Sequence, residues 1–157
     1  SEASCNRIIK SLAAKYRSVP FQPHITAGGI PDRQIQEVKK VMGEISGEVE
    51  TFELSPRTVQ CKSFPYQKIT MGIKKSSALN HLHQTIDSRF KGNYSRRDYP
   101  HVSFLYSTMP CKKIDEEDLK EVERRCLPKI SVNRIALVHC KGTPEEWRTL
   151  YMCALKP

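Results

Sequence analysis

One short pattern occurs twice in this chain and limits what it can fold into. "FQPHITAGG" covers residues 21–29 and "DYPHVSFLY" covers residues 98–106. Each copy holds an aromatic residue, then Pro, His, a β-branched residue and a hydroxyl residue. His24 and His101 stand about half a chain apart in 157 residues. Such spacing predicts a duplicated α+β unit, with one copy of the pattern on a strand in each half. In a strand, residues two apart share a face. His24 and Thr26 therefore face one way, as do His101 and Ser103, while Ile25 and Val102 point into the core.

The intervening periodicity fits this plan. Ile8, Ile9, Leu12, Ala13 and Tyr16 share a helical face over residues 2–17. A strand is expected at 21–27, closed by Gly28 and Gly29, and a helix at 31–46 with Pro31 in its first turn. One strand lies within 49–62. In a second, at 66–74, Gln67, Ile69, Met71 and Ile73 should face the core. Ser76 or Ser77 caps a helix running to about residue 90, with Leu79, Leu82, Ile86 and Phe90 inward. His81 and His83 on that helix read as surface or half-buried. A basic loop precedes the strand at 101–106. A helix with an acidic first turn follows at 114–126, then strands at 129–140 and 147–155. The length suits one domain over residues 1–157, built of two lobes around a shared core.

The formal net charge of +9 favours an anionic partner such as a nucleotide, RNA or an acidic membrane surface. The basic residues are spread along the chain, unlike a nucleic-acid-binding arm. No apolar run is long enough to span a membrane, and no charged-then-apolar leader is visible. The six cysteines show neither CxxC nor zinc-finger spacing. Most are expected as reduced thiols in a reducing compartment.

Two imidazoles and two hydroxyls converging on one site suit phosphodiester chemistry. A neutral imidazole deprotonates water while an imidazolium protonates the leaving oxygen, and histidine titrates near neutrality. The hydroxyls donate to the non-bridging oxygens. A lone His-x-Thr is more often a hydrogen-bonded core histidine; the second copy changes that reading. No metal-ligand set stands at a telling spacing, and no cofactor is expected.

The paired H-x-[TS] motifs resemble those of the 2H phosphoesterase superfamily, and most closely the 2′,3′-cyclic-nucleotide 3′-phosphodiesterase family of plants and fungi. "FQPHIT" resembles that family's F-x-P-H-V-T and "YPHVSFLYS" its P-H-[LV]-S-L-[LV]-Y. "NRIALVHCKGTPEEW" resembles its "RLAL…K…W" tail. The resemblance implies an α+β, bilobal fold of two antiparallel sheets forming a central cleft, with helices outside. It implies metal-independent hydrolysis of 2′,3′-cyclic nucleotides to 2′-phosphates. Action on ADP-ribose 1″,2″-cyclic phosphate, a tRNA-splicing by-product, is implied as well. By position, His24 and His101 become the acid/base pair and Thr26 and Ser103 the phosphate holders. His101 is expected to activate water and His24 to protonate the 3′-oxygen.

Tyr106 matches the tyrosine that closes the second motif, although an ideal strand would point it away from Ser103. Phe64 and Tyr66 resemble an aromatic patch able to stack on a base. Arg96 and Arg97 stand where they could steer the phosphate. The chain departs from the family in "AGG" after Thr26 and in lacking the opening S-x-W strand, its only tryptophan being Trp147.

The expected partner is a small cyclic phosphate or nucleotide, with RNA ends next and no DNA, and the protein is expected to be a monomer. The cytoplasm is the default location, with peripheral attachment to an internal membrane such as the Golgi left open. Two other classes stay in view: a 2H enzyme processing RNA 3′ ends as exonuclease or 2′-5′ ligase, and a non-catalytic nucleotide- or RNA-binding module.

Overall fold

The computed structural model describes residues 2–30, 34–63, 66–90, 99–126 and 129–157. The described elements run α1 (Glu2–Lys15), α2 (Ile35–Glu48), β1 (Phe52–Leu54), β2 (Pro56–Cys61), β3 (Tyr66–Ile73), α3 (Ser77–Arg89), β4 (His101–Ser107), α4 (Glu116–Cys126), β5 (Ile130–Val132), β6 (Arg134–His139) and β7 (Arg148–Ala154). This is an α+β chain of helices and antiparallel sheet, as expected. It divides into two compact units. One takes in Ser1–Ile25, Ser55–Lys74 and Tyr99–Ile130; the other takes in Thr26–Leu54, Lys75–Asp98 and Ser131–Pro157.

The first unit is built on the antiparallel sheet β2-β3-β4. Its register sorts the side chains. Val59 pairs with Met71, Met71 with Val102, and Ile69 with Leu105; this face is apolar. Gln60 pairs with Thr70, Thr70 with Ser103, and Gly72 with His101; this face is polar. Helix α1 packs on β4 and on α4, and α4 packs on β2. Ile8, Ile9 and Leu12 of α1 are buried, each contributing about 1.5–3 kcal/mol through lost apolar surface.

Helix α1 ends in a Schellman motif. The Ser18 N–H donates to Ala13 O at 2.8 Å and the Arg17 N–H to Ala14 O at 3.4 Å. Arg17 takes the left-handed conformation (φ 51°) that glycine usually supplies. Lys15 pairs with Asp118 at 2.9 Å, tying α1 to the start of α4.

The core of the second unit joins Val38, Met42, Ile45 and Val49 to Leu82, Ile86, Phe90 and Leu155. Its strands form the pairs β1-β5 and β6-β7. Of the two expected caps, Ser76 and Ser77, it is Ser76 that caps α3, accepting from the Leu79 N–H at 3.1 Å. Arg89 bridges to Glu44 of α2 at 3.0 Å, an exposed pair worth at most about 1 kcal/mol.

Several expectations need correction. The strand expected at 21–27 makes one isolated bridge, Ile25 to Val102, because Pro20 and Pro23 have no N–H to give a ladder. The strands expected within 49–62 and at 129–140 each divide in two, at Ser55 and Asn133. β3 is buried on both faces from Lys68 onward, as a central strand should be. The buried Lys68 ammonium donates to Lys62 O at 2.9 Å. His83 is buried, 4 % exposed, with the apolar stripe of α3, while His81 is exposed. Cys61 and Cys111 form a disulfide that no spacing announced; Cys5, Cys126, Cys140 and Cys153 are free.

Candidate active site

Both copies of the repeated pattern orient histidine in the same way. His24 Nδ1–H donates to Gln22 O at 2.8 Å. His101 Nδ1–H donates to Tyr99 O at 2.9 Å. A carbonyl only accepts, so each Nδ1 carries a proton, and in the neutral ring the free lone pair sits on Nε2. The bond reaches back across the proline in both cases, from the histidine to the residue two positions earlier. Each proline thus stands inside a short ring that fixes tautomer and orientation together.

The Ile25–Val102 bridge is antiparallel and sets the first copy against β4. In an antiparallel pair, stepping back one residue on one strand means stepping forward one on the other. His24 therefore comes opposite Ser103, on the polar face of the sheet. Across that face the row continues from Ser103 to Thr70 to Gln60. Thr70 is 1 % exposed, and its hydroxyl has no hydrogen-bond partner among the described residues. Thr26, two residues beyond His24, falls just inside the second unit.

His24 keeps an exposed surface, yet its proton affinity is lowered. The chief cause is desolvation by surrounding protein, which disfavours the imidazolium; the Gln22 carbonyl opposes this, and the charge of His101 adds to the lowering. The Ile25–Val102 bridge sets the two histidine-bearing segments side by side, which is why the charge of one bears on the other.

Tyr106 reaches the histidine face through a bulge. Thr70 pairs with Ser103 and Ile69 with Leu105, which leaves Phe104 as an extra residue on β4. That residue resets the alternation, so Tyr106 faces the same way as His101 and Ser103. Its ring packs on Phe21 with centroids 4.1 Å apart, and Phe21 meets His24 edge-on at 6.3 Å. Tyr106 and the aromatic that opens the first motif thus lie side by side.

Tyr66 is placed elsewhere. It is 57 % exposed, has a left-handed backbone (φ 70°), and pairs with Ser107 at the far end of β3. The partner of His101 on β3 is Gly72, about 20 Å along the strand at ~3.4 Å per residue. Phe64, Arg96 and Arg97 lie outside the described residues. Trp147 is half-buried beside the turn at Pro144–Glu146.

Two residues outside the expected set, Tyr99 and Gln60, stand beside His101. The Tyr99 ring stacks on His101 with centroids 5.5 Å apart and planes at 24°, and its hydroxyl accepts a bond from Gln60 Nε2. The signal available was the aromatic directly before Pro-His. Among the described residues, no group of three or more His, Cys, Asp or Glu is placed to hold a metal. None of the described helices is long and apolar enough to cross a membrane.

Comparison with known proteins bears on the fold and the family. The fold is shared with TT0787 of Thermus thermophilus at 14 % identity (TM-score 0.65, 98 % of this chain and 93 % of that one). It is shared with a phosphoesterase at 15 % identity (TM-score 0.62, covering 99 % and 93 %). E. coli LigT, solved in complex with 3′-AMP, is similar at 14 % identity (TM-score 0.61, covering 99 % and 93 %). No curated protein matches the sequence. The model of the cyclic phosphodiesterase-like protein family spans residues 2–155, both histidine motifs included, and the chain belongs to that family of 2H phosphoesterases.

Proposed function

We propose that this protein hydrolyses nucleoside 2′,3′-cyclic phosphates to nucleoside 2′-phosphates, as the plant and fungal enzymes it resembles do. ADP-ribose 1″,2″-cyclic phosphate, opened to the 1″-phosphate, is the second substrate of this reading. The observation that carries it is the doubled histidine geometry. Two imidazoles, each holding Nδ1–H on a carbonyl and so presenting Nε2, sit on segments joined by the antiparallel bridge of Ile25 to Val102.

In the reaction a water oxygen bonds to phosphorus and the bond from phosphorus to O3′ breaks. The neutral histidine takes the water proton, and the protonated one gives its proton to O3′. The lowered proton affinity of His24 favours His24 as the neutral base and His101 as the acid, the reverse of the assignment expected from sequence. Ser103, opposite His24, and Thr26 hold the non-bridging oxygens and stabilise the charge that builds on them. Tyr106 and Phe21 supply the aromatic side of the site. Arg97 steers the anionic substrate, and Phe64 stacks on the base. Tyr66, at the far end of β3, suits a longer substrate such as an RNA end.

The test is incubation with 2′,3′-cyclic AMP, with and without chelator, followed by phosphorus NMR. A 2′-phosphate product that survives chelation and is lost in His24→Ala and His101→Ala supports the reading. A 3′-phosphate product overturns the assignment of the leaving group. Loss with chelator overturns the two-histidine mechanism. Binding without turnover moves the protein to the binding-module class.

A further inference from the structure

The polar face of the first sheet holds an arrangement around His101 that the family motif does not include. Tyr99 touches His101 twice. Its backbone carbonyl takes the Nδ1–H at 2.9 Å, which fixes the tautomer. Its ring lies nearly parallel to the imidazole at 5.5 Å, which restricts the tilt. The Tyr99 ring is in turn held on three sides. Gln60 donates to its hydroxyl, and Lys62 Nζ stands 4.1 Å from its centroid, a cation–π contact. Gly72, the ladder partner of His101, leaves room for the hydroxyl.

That room is tight. A Cβ built on Gly72 would sit 3.1 Å from Tyr99 Oη and 3.5 Å from Tyr99 Cε2. Gly72 is not in the left-handed region, so its need to be glycine comes from space alone. The site therefore keeps a bare position in a buried central strand, at some entropic cost, and fills it with the tyrosine hydroxyl.

We propose that Tyr99 is a positioning residue for His101, and that Gln60, Lys62 and Gly72 form the clamp holding it. The proposal rests on His101 being an acid/base group. The clamp fixes the direction in which His101 Nε2 points, and misplacing a proton donor by an ångström slows the reaction while leaving binding nearly intact. Its effect belongs in kcat and not in KM.

A substitution cycle with a spectroscopic readout tests this. Tyr99→Leu removes the ring but keeps the carbonyl; kcat should fall about 10- to 100-fold with KM within about threefold. Tyr99→Phe keeps the stack and should retain kcat within about fivefold. Gly72→Ala pushes on Oη and should lower kcat about three- to tenfold. The double variant Gly72→Ala with Tyr99→Phe should be no slower than Tyr99→Phe alone, because the added methyl fits once Oη is gone. In parallel, NMR of the His101 ring should show the Nδ1–H tautomer in both proteins, because Leu keeps the carbonyl, with sharp ring resonances in the wild type and exchange-broadened ones in Tyr99→Leu, where the ring is free to tilt.

Additive losses in the cycle, a rise in KM at constant kcat, or His101 ring resonances as sharp in Tyr99→Leu as in the wild type would overturn the proposal. If Tyr99→Leu does not fold, the Gly72 and Tyr99→Phe cycle decides it. The NMR arm needs no substrate. A wild type without turnover therefore defeats the proposed function while the spectra still judge the clamp.

Discussion

The two copies of the histidine pattern reach the same side-chain geometry from unequal backbones. The second copy opens β4 and is hydrogen-bonded to β3 along its length. The first is irregular chain held to β4 by a single bridge at Ile25. Yet His24 and His101 make the same bond to the carbonyl two residues back, at 2.8 and 2.9 Å. The orientation of the imidazole is thus a property of the local Gln-Pro-His or Tyr-Pro-His turn. The sheet adds support to it, and that support differs between the copies. Around His101 it includes a stacked tyrosine, a bare glycine and a disulfide one residue from Lys62. Around His24 it includes the edge of Phe21.

The largest effects should treat the copies alike. His24→Ala and His101→Ala should each lower kcat about 10²- to 10⁴-fold, measured on 2′,3′-cyclic AMP. If one variant kept more than about a tenth of the activity, that histidine would be structural and the equivalence would fail. Removing a hydroxyl comes next. Thr26→Ala and Ser103→Ala should each cost about 10- to 10³-fold in kcat, while Thr26→Ser and Ser103→Thr keep most of it.

Smaller effects should separate the copies. Replacing Cys61 and Cys111 by Ser should cost about 2–4 kcal/mol of stability, read from denaturant unfolding. Activity should fall more than folding alone accounts for if the disulfide also steadies the Tyr99 clamp. Pro23→Ala should lower kcat about two- to fivefold, because the first copy is joined to β4 by one bridge instead of a ladder. Pro100→Ala should do less, since the ladder restrains the second. Equal losses at the two prolines would mean that the ladder adds nothing to the orientation of His101.

Much of this was legible because it depends on periodicity and on local chemistry. The four helices and the inward stripe Leu79, Leu82, Ile86 were readable from apolar spacing, and the cap of α3 was narrowed to Ser76 or Ser77 by their hydroxyls. The shared face of His101 and Ser103 followed from strand alternation. What stayed hidden was set by pairing between distant segments. The bulge at Phe104, which turns Tyr106 to the histidine face, exists only in the register between β3 and β4. The same register makes Gly72 the neighbour of His101, and nothing in "TMGIK" announces that. The Cys61–Cys111 bond joins strand end to turn across 50 residues, beyond any local signal. The strand expected at 21–27 failed for a reason the sequence did carry, the missing N–H groups of Pro20 and Pro23.

The smallest predicted effect is the most direct test of the difference between the histidines. Desolvation and the charge of His101 hold the proton affinity of His24 below its ordinary value near 6.5. In the proposed reaction His24 is the neutral base and governs the acid limb of kcat/KM, and that limb should have its midpoint below about 6.5. Were His24 the acid, the same shift would place the alkaline limb below 6.5 and leave the enzyme largely idle at neutral pH. Stability follows the same sign. Above about 6.5 the ring is neutral in both folded and unfolded chains, and the full stability is present. As pH falls toward the lowered folded value, the unfolded chain takes up the proton first, and stability is lost. Replacing His24 by Gln removes that loss, so the difference between variant and wild type in unfolding midpoint should grow steadily from about pH 7 to about pH 5. A difference that stays flat over this range would mean that the folded protein binds the proton as readily as the unfolded chain, and the two histidines would then be equivalent in charge as well as in geometry.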